Sequence, residues 1–397
     1  MQIGQTLIGC LLGVCLLSLA SLSYADSDSN VQELFNVGYR VIDLAYRSGK
    51  QDQTLTVAVW YPTEVRPRFY NYGGSTSGNI AVDAAPYAER GHYPLLVFSH
   101  GYGGSGIGAV FLTEALAARG WIVAAPDHHD RHSAVRIRTG QVKDYDRRGF
   151  LQHAMQIAAS SREDRSEYLY RLDEIKLVLD RMLTSDPFGK LIDLNRIAVG
   201  GHSFGGFTAL GVCGTIKERR DARIKAVLLF STGAGGYLFN DEELAAVSIP
   251  SMLFLGERER EKTRGRGMTM AEIADKVYRN MPLPKYFLEV KGANHLSFNN
   301  QFTDRRTARF LSGNDKQLFD VIRRYSIAFL EKYVGGRKDA VQVLNQGDPL
   351  LTRYLRDPGR DDLEQKPNRV RGSFSLPLPT PPGVRVRTGR FPKTSGP

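Results

Sequence analysis

One serine sits between glycines in a pattern that can make a hydroxyl reactive. Gly201-His202-Ser203-Phe204-Gly205 fits G-x-S-x-G. In a nucleophile elbow the serine stands on a sharp, strained turn between strand and helix, and the flanking glycines leave room where a Cβ would clash. A glycine-rich chain can meet this pattern by chance, so its surroundings decide. Here the apolar run Ile197-Ala198-Val199 precedes it and a stretch rich in small residues follows, as an elbow requires. Such a serine needs a base. The chain has eight histidines, His92, His100, His128, His129, His132, His153, His202 and His295, and only His295 follows Ser203. The chain order serine, acid, histidine selects it.

The acid is less sharply marked. Gly256-Glu257-Arg258-Glu259-Arg260-Glu261 follows the apolar run Met252 to Leu255 and lies between Ser203 and His295. A carboxylate there could fix the orientation and tautomer of the imidazole. Glu259, three residues past the glycine, is the first choice, Glu257 the second, and Asp241 the reserve outside this loop. The same run also reads as a solvated strip of alternating charge. His100-Gly101-Tyr102-Gly103-Gly104 directly follows Leu95 to Ser99. A loop in that place offers a backbone N–H to a developing oxyanion, and the residue after the nucleophile offers another, which nominates Tyr102 and Phe204. His100 is expected to shape the loop through hydrogen bonds. His128, His129, Asp130 and His132 could be imagined around a metal, but they lack the fixed spacing of a known site and read better as a polar loop. The chemistry calls for no metal and no cofactor.

Positioning these groups requires a rigid frame, and the apolar pattern supplies one. Short apolar runs at Leu95 to Ser99, Trp121 to Ala125, Arg196 to Val199, Ala226 to Phe230, Ser251 to Leu255 and Tyr286 to Val290 read as buried strands. Between them lie helical patterns at Val110 to Arg119, stopped by Gly120, at Leu169 to Met182, from Phe207, at Met270 to Asn280, and at Lys316 to Tyr333. Alternating strands and helices predict a mostly parallel central sheet covered by helices on both faces. With the elbow and the chain order of serine, acid and histidine, the expectation is an α/β-hydrolase fold. Val37 to Trp60 reads as opening β-structure and Asn71 to Asn79 as a Gly/Ser-rich loop. Residues 127–165, polar and without clear period, read as an insert or lid-like segment.

The ends of the chain differ from its middle. The first 25 residues carry no charge, and an apolar run from Ile8 to Leu22 is followed by Ser23-Tyr24-Ala25. That reads as a signal peptide for export, cut before Asp26, although no Lys or Arg precedes the run. An uncleaved anchor would need about 20 apolar residues, more than this run provides. Cys10 and Cys15 fall in this segment and leave Cys213 alone, so no disulfide framework accompanies export. The net charge of +11 gathers at the other end, where residues 366–397 carry seven Lys or Arg, many prolines and no acid. This stretch reads as a disordered extension that charge alone would draw to a membrane surface or anionic polymer; a solvated tail with no partner is the plain alternative. No nucleic-acid reader motif is present. The expected layout is a signal over 1–25, a catalytic domain over 26–345 and an extension over 346–397.

Several blocks together resemble a known family. Tyr93 to Gly101, Val123 to Arg131 and Gly201 to Gly206 look like the plasma-type platelet-activating factor acetylhydrolases and their bacterial relatives, often labelled dienelactone-hydrolase-like. Arg171-Leu172-Asp173 and Gly292-Ala293-Asn294-His295 are similar too. The resemblance spans about Val57 to Asn299. It implies a calcium-independent serine esterase acting on phospholipid or short-acyl esters, with Ser203, His295 and the donors at Tyr102 and Phe204 at matching positions. It departs at the acid: in the plasma enzyme the acid follows the strand after the nucleophile, but here that strand ends in Phe230-Ser231. Dienelactone hydrolases proper use a cysteine nucleophile, which Ser203 argues against. The reading is therefore a serine esterase of short-acyl esters. A carboxylesterase of another substrate class, or a non-catalytic binding protein on the same fold, remains the alternative.

Overall fold

The computed structural model describes residues 34–73, 76–232, 238–261, 268–300 and 315–359. The expected signal at 1–25 and the basic stretch at 366–397 lie outside the described residues. Thirteen strands are formed among those described: β1 (Asn36–Ser48), β2 (Gln51–Thr63), β3 (Arg68–Gly73), β4 (Thr76–Val82), β5 (Tyr93–Ser99), β6 (Ile122–Pro126), β7 (Val135–Arg136), β8 (Gly140–Gln141), β9 (Ile192–His202), β10 (Ile224–Phe230), β11 (Ser251–Gly256), β12 (Lys285–Val290) and β13 (Leu351–Asp357). The helices are α1 (Val110–Ala117), α2 (Arg147–Ala159), α3 (Tyr170–Thr184), α4 (Phe204–Leu210), α5 (Asp241–Ala245), α6 (Met270–Asn280), α7 (Asp315–Leu330) and α8 (Ala340–Leu344).

Eleven strands make one sheet in the order β13-β12-β11-β10-β9-β5-β6-β2-β1-β4-β3. Its middle, from β12 to β6, is parallel. These strands are the short apolar runs of the sequence, as expected where both faces are covered. Alternation along them divides the core. Leu95 and Val97 of β5 pack with Ile175 and Leu179 of α3, Phe207 of α4 and Val277 of α6. Leu96 and Phe98 face the other way, toward Leu112 and Leu116 of α1 and Ile322 and Phe329 of α7. Each fully buried Leu, Ile or Phe contributes roughly 1.5–3 kcal/mol, so the parallel strands are firmly held.

Three segments depart from the sequence reading. The described residues of the stretch Asn71 to Asn79, expected as a loop, belong to the antiparallel pair β3–β4, with Asn71 opposite Ser77. Period-two burial explains it: Tyr72 and Ile80 are buried, and Tyr72 packs against Tyr39 and Trp60. Residues 127–165 hold the small β7–β8 hairpin and the amphipathic α2, whose only buried residue is Ile157. The boundary expected at 345 also falls short. β13 pairs antiparallel with β12 and extends the compact unit to Asp357. As a partly exposed edge strand carrying Arg353 and Arg356, β13 has little apolar signal to announce it.

Candidate active site

Ligand sites in open parallel sheets form beyond the carboxyl ends of the strands, and five strand ends meet here. At the end of β9 the chain turns sharply into α4 at Ser203, whose φ is 54° and ψ −118°. Such a conformation costs a non-glycine residue about 1–3 kcal/mol. The glycines make the turn geometrically open: a Cβ on Gly201 would lie 2.1 Å from the Gly205 carbonyl oxygen, and one on Gly205 2.0 Å from that of Ser99. The Ser203 amide bonds the Phe230 carbonyl at 2.9 Å, which ties the turn to β10.

His295 arrives from the loop after β12. Asn294 caps the following turn, accepting from the Leu296 amide at 2.9 Å, and so sets His295 at its first position. His202 holds the same segment by its Nε2, 2.9 Å from the His295 carbonyl oxygen. Burial, and after it the neighbouring His295 ring, pushes the His202 pKa down to about 3, so it stays neutral and serves as a donor. The Nε2 of His295 is 2.9 Å from Ser203 Oγ, and its Nδ1 is 3.1 Å from Glu259 Oε2.

Glu259 lies in the turn Glu257–Arg260 after β11 and is buried. The Gly256 amide donates to its Oε1 at 2.7 Å, locking the carboxylate across its own turn. Glu257 points elsewhere, accepting from the Gly292 amide at 2.7 Å. Of the two glutamates singled out from sequence, the structure brings Glu259 to the imidazole and commits Glu257 to the neighbouring loop. Arg260 of the same run pairs with Glu289 and Asp275.

The loop after β5 closes the site. Asp130 takes the Gly103 amide at 2.9 Å, and the Gly101 carbonyl takes that of Gly104 at 3.0 Å. Across the elbow, Ser203 O takes the Gly206 amide at 2.9 Å. The amides of Tyr102 and Phe204 carry no such partner among the described residues, and both residues line one pocket with Ser203 and His295. That pocket is ≈ 270 Å³, largely apolar, and bounded by Phe150, Ala154 and Ile157 of α2, with Met270 and Leu296. The Tyr102 hydroxyl is 2.5 Å from His153 Nδ1, and its ring stacks on Phe150.

Several groups were misjudged or missed from sequence. Asp130, read as part of a polar loop, forms a fully buried pair with Arg171, accepting from its Nε and Nη2 at 2.9 Å each. Burial alone would raise the Asp130 pKa, but the guanidinium overrides it and holds the carboxyl well below its usual range. Arg171 also donates to the His100 carbonyl at 3.0 Å and lies over the Phe204 ring at 4.9 Å. One buried ion pair therefore braces both candidate donor loops. His128 and His129 each place Nδ1 2.6 Å from Glu174. Burial opposes ionisation of Glu174, yet those two bonds prevail and hold its pKa at about 2. His128 Nε2 reaches Ser99 Oγ at 2.8 Å, a serine–histidine–acid chain sealed inside the protein. His100, as expected, shapes its loop: its Nε2 accepts the His128 amide at 3.1 Å and its Nδ1 meets the Gly101 carbonyl at 2.6 Å. Ser231, at the end of β10, contacts both His295 and Glu259.

Fold and site together define an α/β hydrolase: a strand-to-helix elbow bearing serine, then acid, then histidine in chain order. Comparison with known proteins shows what this chain is similar to. Residues 69–179 match the family model described as platelet-activating factor acetylhydrolase, isoform II. The chain is similar to the platelet-activating factor acetylhydrolase of Cavia porcellus, 28% identical over 68% of this chain, and to that of Canis lupus familiaris, 26% identical over 69%. It spans 65% and 64% of those relatives' own lengths. Among solved structures, a ferulic acid esterase from Streptomyces cinnamoneus superposes with a TM-score of 0.58, at 22% identity, covering 83% of this chain and 95% of that one. This last likeness bears on fold alone.

Proposed function

We propose that this chain is a serine esterase that hydrolyses short-acyl carboxylic esters, the sn-2 esters of phospholipids among them. Ser203 Oγ attacks the ester carbonyl while His295 Nε2 takes its proton, and the Tyr102 and Phe204 amides receive the oxyanion. His295 returns the proton to the leaving alcohol as the carbonyl reforms, leaving an acyl group on Ser203. Water, deprotonated by His295, releases the acid and restores the hydroxyl. Glu259 holds the imidazole and supports its transient charge. No step draws on a metal or organic cofactor.

The observation carrying this reading is the hydrogen-bonded chain Ser203–His295–Glu259 at the mouth of an apolar pocket. A pocket of ≈ 270 Å³ suits a short acyl group better than a fatty acyl chain. Similarity to the acetylhydrolases favours a phospholipid ester over other esters. An N-terminal signal over 1–25 would place the enzyme outside the cytoplasm. Labelling with a fluorophosphonate probe, followed by kinetics on p-nitrophenyl esters and on phospholipids of graded sn-2 length, tests the proposal. Ser203 should be the modified residue, and kcat/KM should fall as the acyl chain lengthens. A protein that neither labels nor hydrolyses these esters is a binding module on this fold. A protein preferring long chains retains the mechanism but loses the substrate class.

A further inference from the structure

Two strand ends converge on His295 Nδ1, and only one of them brings a carboxylate. Glu259, after β11, places Oε2 3.1 Å away; Ser231, directly after β10, places Oγ at 2.6 Å. The hydrogen atoms can be assigned. For Nε2 to accept the Ser203 proton, the neutral imidazole must carry its hydrogen on Nδ1. Ser231 Oγ must then accept at Nδ1, and its own hydrogen points to Glu259 Oε2, with which it forms a very short contact. A hydroxyl with one hydrogen and two lone pairs fits both tasks. The order is imidazole N–H to serine oxygen, serine O–H to carboxylate, alongside the longer direct bond.

The backbone shows that Ser231 is placed rather than incidental. It is fully buried, its amide bonds the Phe254 carbonyl at 2.8 Å, and its φ is 44°. Serine rarely adopts a positive φ; Asp, Asn and Gly accept it more readily. His295 is faced by Ser203 and His202 from β9 and its elbow, by Ser231 from β10 and by Glu259 after β11. Among these, Ser231 makes the shortest contact with Nδ1.

We infer that Ser231 is a positioning residue that couples Glu259 to His295. This rests on the esterase reading above. It goes beyond it in placing a hydroxyl from a third strand end between the acid and the imidazole.

The test compares wild type with Ser231→Ala, Glu259→Ala and Ser231→Ala/Glu259→Ala, using p-nitrophenyl acetate hydrolysis across pH and fluorophosphonate labelling. Ser231→Ala should lower kcat about 10-fold with KM nearly unchanged. The acidic limb of kcat/KM should move to lower pH, since an acceptor favouring the imidazolium is lost. Glu259→Ala should lose on the order of 10³-fold or more in kcat. The double variant should fall no more than a few-fold below Glu259→Ala, because Ser231 acts through the carboxylate already removed. Should Ser231→Ala fail to fold, Ser231→Gly removes the same hydroxyl from a backbone glycine accepts. An unshifted pH limb with wild-type kcat in the hydroxyl-free variant, or a folded double variant about 10-fold or more below Glu259→Ala, overturns the inference. Wild type that neither labels nor hydrolyses ester overturns the esterase reading itself, so the two failures are distinguishable.

Discussion

His295 can take a proton from Ser203 only while its Nδ1 keeps a hydrogen, and on the proposed mechanism Glu259 holds it there. The Gly256 amide fixes one oxygen of Glu259 and leaves the other for the imidazole. Glu259→Gln keeps the shape but puts an amide where a charge must meet the imidazolium, so kcat should fall about 10³–10⁴-fold. Glu257→Gln should stay within a few-fold of wild type in kcat, since Glu257 binds the Gly292 amide and not the imidazole. Its cost should appear as roughly 1–2 kcal/mol of stability, read from the urea midpoint, because a bond to a charged acceptor becomes a neutral one. If Glu257→Gln is the inactive variant and Glu259→Gln is not, the acid has been misassigned. Ser203→Ala and His295→Ala should each remove nearly all turnover while melting close to wild type, as members of one unit do. Wild-type turnover in either rules out the mechanism. Ser203 and His295 were legible because chain order and glycine flanks are local properties. Ser231 was not: its partners come from the ends of two other strands, a meeting that only the sheet order creates.

At the scale of elements, the β5 loop works only if its backbone stands still, and α3 supplies the brace. Arg171 links Asp130, the His100 carbonyl and the Phe204 ring, while Asp130 holds the Gly103 amide. Arg171→Lys keeps a charge but loses the two-pronged grip and the planar contact with the ring. It should lower kcat about 10-fold or more with KM changed far less, and cost about 3 kcal/mol or more in denaturation, as breaking a buried pair does. Destabilisation with unchanged kcat would limit the pair to folding. Tyr102→Phe, by contrast, removes only the hydroxyl that meets His153 and leaves the amide, so measurable activity should remain. Total loss in a folded variant would give the phenol a catalytic part. The central strands were legible because strands buried on both faces read as unbroken apolar runs. The brace was not, since Asp130 and Arg171 lie 41 residues apart and a cluster of polar side chains reads from sequence as a solvated loop. β13 was missed for the opposite reason: an edge strand needs few apolar residues to pair.

Across the whole molecule, the buried His202 and the half-buried Glu114 make stability depend on pH in opposite senses. His202 has its pKa pushed from 6.5 to about 3, chiefly by burial. A depressed base contributes fully above its unfolded pKa, and its contribution drains away as pH falls from about 6.5 toward 3. Glu114 of α1 runs the other way. Burial raises its carboxyl from 4.5 to about 7, against the hydrogen bond it accepts from Tyr72 at 2.8 Å. It lies where the β3–β4 pair crosses α1, filling the space that Gly78 leaves. A raised carboxyl favours the folded state below its unfolded pKa and loses that advantage as pH rises from about 4.5 through 7. Glu114→Gln isolates this effect, because the amide oxygen can still accept from Tyr72 and nothing remains to ionise. At pH 5 the variant and wild type should unfold at similar urea concentrations. By pH 8 the variant should be more stable by on the order of 1–3 kcal/mol, less than the full shift because the carboxyl is partly exposed. Esterase turnover at either pH should match wild type, since Glu114 lies outside the catalytic pocket. A stability gap that does not widen between pH 5 and pH 8 would mean that water reaches Glu114 in the folded state. The contact between α1 and the β3–β4 pair would then be looser than its packing implies.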